Sequence, residues 1–71
     1  MNSEELKNAL LKGFPVEYDG NTFKVTFKCV TAIIYRNKGG KIDISAEVLD
    51  KNNNSVCYVD PRKLKEVQNN E

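Results

Sequence analysis

The side chains that could carry chemistry in this chain are few, and their spacing argues against most of it. The chain has no histidine and only two cysteines, Cys29 and Cys57. Each cysteine sits in an apolar, strand-like run without a histidine to deprotonate it, so both read as buried free thiols. Two sulfurs fall short of a four-ligand zinc site and carboxylates would have to complete it, so no metal is expected. Asp19, Asp43, Glu47, Asp50 and Asp60 fall in turns or at polar strand positions, where capping and solubility account for them. A general acid and base pair needs a cleft that raises one pKa, and so short a chain encloses little of one. Gly39-Gly40-Lys41 has the composition of a phosphate loop, but it joins two strands instead of opening a helix, and so reads as a hairpin turn. The expectation is a non-enzyme with no cofactor.

Binding is the chemistry that remains, and two surfaces offer it. Arg62, Lys63 and Lys65 cluster at a C-terminal turn, and Lys24 and Lys28 occupy the polar side of a strand that a curved sheet would bring alongside. Such a patch would contact phosphates while Tyr18, Tyr35 or Tyr58 stacks on bases, as small barrels do with single strands. The plainer reading is a solvated face, because exposed strands ordinarily carry lysines and because Asp60 and Glu66 dilute the cluster. The second surface is apolar. Ile33, Ile34 and Tyr35 are consecutive, so both sides of their strand are apolar, and with Tyr58 they exceed what a small interior can bury. A helix packed over one side would absorb the excess; otherwise a patch is left for a partner protein or for a second copy of the chain.

The elements that must position these residues follow from periodicity. Asn2 or Ser3 caps a helix over 3–12, Glu4 and Glu5 favour its positive end, and Leu6, Ala9 and Leu10 recur along one face. Gly13 and Pro15 end it. A helix this short is unstable alone, so Leu6, Leu10 and Leu11 are expected to lie on something apolar. Val16 and Tyr18 then alternate into a tight turn at Asp19-Gly20-Asn21. The returning strand sets Phe23, Val25 and Phe27 on one side and Lys24, Thr26 and Lys28 on the other. Val30, Ala32 and Ile34 continue the apolar series in the opposite parity, which predicts a bulge or sharp bend between Cys29 and Thr31 that lets one long strand serve two sheets. A turn at Asn37 to Gly40 leads to a strand with Ile42, Ile44, Ala46 and Val48 on one side. Lys51-Asn52-Asn53-Asn54 is the next turn and Val56 to Val59 a short strand. Asp60 caps a single turn that starts at Pro61 and ends near Leu64, a last short strand follows from Lys65, and 68–71 should fray.

With 71 residues the chain holds one domain over 1–71, with the strands in 15–67. Its 39% hydrophobic and 30% charged residues are those of a globular protein. A net charge of +1 supplies no global field toward nucleic acid or acidic lipid. No apolar run is long enough to span a membrane, and the N-terminus lacks the pattern of an export signal, so the expectation is a soluble cytoplasmic protein.

The segment Tyr58-Val59-Asp60-Pro61-Arg62-Lys63-Leu64 resembles the 3₁₀ turn before the last strand of SH3-like barrels, and the layout over 16–67 is similar to theirs. The resemblance implies a mainly β fold with a short N-terminal helix and a small antiparallel barrel of four to five strands. The clustered aromatic and acidic residues of peptide-binding SH3 domains are missing, so it implies no particular ligand. The Lys- and Asn-rich style, with Glu-Glu-Leu-Lys at the start and Lys-Asn-Asn-Asn in a turn, is similar to that of short proteins of low-GC Gram-positive bacteria and their prophages. The function expected on these grounds is a protein-binding module acting through Ile33, Ile34, Tyr35 and Tyr58. The alternative is a nucleic-acid-binding barrel using Lys24, Lys28, Arg62, Lys63 and Lys65. A salt titration separates the two.

Overall fold

The computed structural model describes residues 1–67, so the tail expected to fray at 68–71 lies outside the described residues. The chain starts with the helix the caps predict, α1 (Ser3–Lys12). The Asn2 side chain accepts the backbone N–H of Glu5 at 2.8 Å, and Glu5 Oε1 accepts that of Asn2 at 2.8 Å, so two of the end's orphan donors are satisfied reciprocally. Gly13 closes the other end with a left-handed φ of 71°. Leu6 and Ala9 are the buried residues of α1. Leu10 and Leu11, expected to join them, are 39% and 85% exposed. At about 100° per residue Leu11 points away from the line through Leu6 and Ala9, so the buried stripe is narrower than the leucines suggest.

Two antiparallel three-stranded sheets follow. The first has the order β2-β1-β6, from β1 (Val16–Asp19), β2 (Lys24–Phe27) and β6 (Leu64–Glu66). The second has the order β3-β4-β5, from β3 (Cys29–Lys38), β4 (Lys41–Leu49) and β5 (Val56–Val59). The 3₁₀ turn Pro61–Lys63 links β5 to β6, with Asp60 as its cap and Pro61 at its start, as the sequence predicts. The sheets are mainly β structure with one short helix, but they are not closed into a barrel: β5 and β6 are both edge strands. Between them Pro61 lacks a donor and the turn redirects the chain, which breaks any continuous ladder from one to the other.

The long strand is interrupted twice, and each interruption shifts the parity by one residue. A bend at Lys28 separates β2 from β3, sending one half into each sheet. A bulge follows, because Val30 pairs with Val48 while Ala32 pairs with Glu47, leaving Thr31 as the extra residue. The Thr31 hydroxyl donates to Glu47 Oε1 at 2.7 Å. The inward series therefore runs Phe27, Val30, Ile33 and Tyr35. Val30, Ala32 and Ile34 do not form one face, as simple alternation suggests, because the bulge lies between Val30 and the other two. Phe23, expected on the core side with Val25 and Phe27, precedes β2 and is 57% exposed against Tyr18, their rings 6.3 Å apart.

The core is Leu6, Ala9, Val16, Phe27, Val30, Ala46, Val48 and Leu64. Its members come from α1, the first sheet and the near half of the β3–β4 hairpin. Met1 fastens α1 over them: its amino group donates to Pro61 O at 2.6 Å and to Leu64 O at 2.9 Å. The hairpin continues beyond the core and turns at Gly39-Gly40, where φ values of 61° and 83° suit the twist of the strands and only glycine takes both readily. Asn37 and Lys38, expected in this turn, belong to β3.

Candidate functional site

The far part of the β3–β4 hairpin is an arm with two unlike faces. The pairs Tyr35 with Ile44 and Asn37 with Ile42 lie on the face that carries Ile33 and Ala46 nearer the core. That inner face bears no charge. The pairs Arg36 with Asp43 and Lys38 with Lys41 lie on the opposite face, which is charged throughout. Alternation of this kind belongs to a ribbon with one side covered, yet Tyr35 is 59% exposed, Ile42 74% and Ile44 41%. The inner face forms one wall of an open depression of about 540 Å³ whose other wall is the start of α1, with Met1 and Leu6, and the turn at Pro61.

Of the four apolar residues expected to bind a protein, this face takes two. Ile33 is half-buried and packs on the core, and Tyr35 stands beyond it. Ile34 pairs with Ser45 and Tyr58 with Glu47, which puts both on the outer face. Because β5 is an edge strand, Tyr58 still borders the depression. Its ring lies under the Arg36 guanidinium at 5.9 Å, and its phenol is held above the usual tyrosine range by Glu47, first through hydrogen bonding to the carboxylate and then through repulsion of the phenolate. Ile33 packs on the core to which α1 contributes Leu6 and Ala9, and Tyr35 beyond it is exposed. Ile42 and Ile44 are the site residues that sequence reasoning missed. Their signal was the length of the apolar series Ile42, Ile44, Ala46, Val48, twice what so small a core can enclose.

Of the basic residues, Lys24 and Lys65 come together, Lys28 and Arg62 take other partners, and Lys63 ends the 3₁₀ turn. Lys24 and Lys65 flank Glu17 on the first sheet, their Nζ atoms 3.9 and 3.5 Å from its Oε2, a buried oxygen with no hydrogen-bond partner among the described residues. Lys28 donates to Asn53 Oδ1 at 2.9 Å. Arg62 is paired with its own cap, Asp60, at 2.8 Å. Tyr18 stacks loosely with Phe23, away from Tyr35 and Tyr58.

The cysteines are free, as expected, but not buried: Cys29 is half-buried and Cys57 is exposed. Cys57 faces Val48 from the sheet edge, where one flank of the strand has no neighbour to cover it. Among the described residues no three Cys, Asp or Glu side chains gather where a metal ion could sit. No helix among them is long and apolar enough to cross a membrane. Compared with protein-family models, curated proteins and solved structures, the chain matches none. The site's geometry alone therefore carries the functional argument: an uncharged, exposed strand face, beside an open depression whose lining also includes Asp43, Asp60 and Arg62, can hold an apolar surface.

Proposed function

We propose that the chain is a non-enzymatic interaction module that binds a protein through the inner face of the β3–β4 arm. The observation that carries the reading is the exposure of Tyr35, Ile42 and Ile44 in one uncharged row beside a depression. Large apolar side chains scattered singly need no explanation, but a contiguous row with a concave wall is the form an interaction site takes. We also read the two sheets as an SH3-like arrangement opened between β5 and β6. The bent strand shared by the sheets, and the 3₁₀ turn before the last strand, support that reading.

A displayed peptide library tests the binding. Panned on the wild-type chain and counter-selected on the Ile42→Lys variant, it should yield apolar sequences that bind the former and not the latter. Their binding should persist or strengthen as salt rises. Failure to enrich any sequence that distinguishes the two proteins would overturn the proposal. So would tight binding of oligonucleotides that weakens steeply with salt, since that response belongs to phosphate contacts.

A further inference from the structure

Resting on that reading, we infer that the inner face of the arm is covered by the arm of a second copy, the two packed antiparallel about a two-fold axis. Three observations favour this occupant. The face is uncharged, so laying it on itself opposes no like charges, as an isologous contact requires. The arm is exposed from Tyr35 to Ile42 and the depression beside it is open, with Asp43, Asp60 and Arg62 also in its lining, so the arm of another copy can enter it.

The charges at the two ends supply the orientation. The tip carries Lys38 and Lys41, and the far wall of the depression begins the helix whose first turn carries Glu4 and Glu5. Among the described residues Lys38, Lys41 and Glu4 form no ion pair within the chain; the salt bridges there involve Lys24, Lys65 and Arg62 instead. Antiparallel arms bring each lysine tip over the partner's acidic helix start, twice per dimer. Parallel arms bring tip to tip and repel. A net charge of +1 leaves no general repulsion between copies to overcome.

Sedimentation velocity from micromolar to millimolar protein tests the dimer, with far-UV circular dichroism confirming that each variant folds. The wild type should approach the mass of two chains, and Ile42→Lys should remain a single chain because it places a charge in the uncharged face. Glu4→Lys alone, and Lys38→Glu with Lys41→Glu, should each weaken self-association at low salt. An equimolar mixture of these two variants should associate at least about tenfold more tightly than either alone, because only the mixed pair opposes unlike charges at both ends. A single-chain mass throughout overturns the dimer, as does a dimer indifferent to Ile42→Lys or a mixture no tighter than its components. The two readings fail separately. A monomer that still binds selected peptides through Ile42 defeats only the self-docking, while a monomer that binds none defeats the interaction module as well.

Discussion

Asp60 shows how much a single residue settles in a chain this small. Its carboxylate accepts the backbone N–H of Arg62 at 3.0 Å and grips the guanidinium of the same residue through Nε and Nη2. The side-chain hydrogen bond to Arg62 holds its pKa below the usual carboxylate value, with the bond to the Arg62 backbone adding to it. A carboxylate with a depressed folded-state pKa contributes stability that is present above its unfolded pKa and is lost as pH falls through the folded one. Asp60→Asn keeps the cap and removes the charge, so its stability should change less than that of the wild type between neutral and acid pH. Asp60→Ala removes the cap and should cost about 1 kcal/mol at neutral pH. Urea titrations of the three proteins at several pH values check this, and parallel pH curves for wild type and Asp60→Asn would show the ion pair to be without effect.

At the scale of elements, the bend at Lys28 and the bulge at Thr31 organise the second sheet. Each shifts the inward parity, so that Phe27, Val30 and Ile33 face one interior although they lie three residues apart. Deleting Thr31 would remove the extra residue and leave Val30, Ala32 and Ile33 opposite Val48, Glu47 and Ala46 in unbroken alternation, so Ile33 and Tyr35 keep the inner face. The variant should therefore keep a cooperative unfolding transition in circular dichroism, as should Thr31→Ala, which keeps the extra residue and loses only the Glu47 contact. Loss of the transition on deletion would mean that the local twist of the bulge, and not only the facing on either side of it, is needed for the second sheet to form. The same pair of irregularities explains what could be read from the sequence. The helix with its caps, the glycines at the hairpin tip and the strand bounds of β5 follow from local chemistry. The break in alternation announced a bulge within two residues of its place. It could not say which side Ile34 takes, because β3 is apolar on both sides and only pairing with Ser45 decides. Likewise Cys57 reads as buried from its neighbours Val56 and Tyr58, and only the sheet order, with β5 at an edge, exposes it.

For the whole molecule, the core and the candidate site occupy separate parts of the chain. No core residue falls between Val30 and Ala46, and every residue from Tyr35 to Ile42 is exposed. A two-stranded ribbon extended past its support adds little stability of its own. The arm should therefore be removable without loss of the fold. In an antiparallel hairpin the residues flanking a two-residue turn form a hydrogen-bonded pair, and such pairs alternate along the ladder. Lys38 with Lys41 is the flanking pair in this chain, so Arg36 with Asp43 is the next able to close on the same turn. Excising Asn37, Lys38, Lys41 and Ile42 joins Arg36 to Gly39 and Gly40 to Asp43 in that register. The shortened chain should unfold with a free energy within about 1 kcal/mol of the full one, since exposed residues outside the core rarely carry more. It should also lose both peptide binding and self-association, because Ile42 and the basic tip are gone. If the shortened chain instead loses its fold, the arm is part of the stabilising structure, and its exposed isoleucines need an explanation other than a partner.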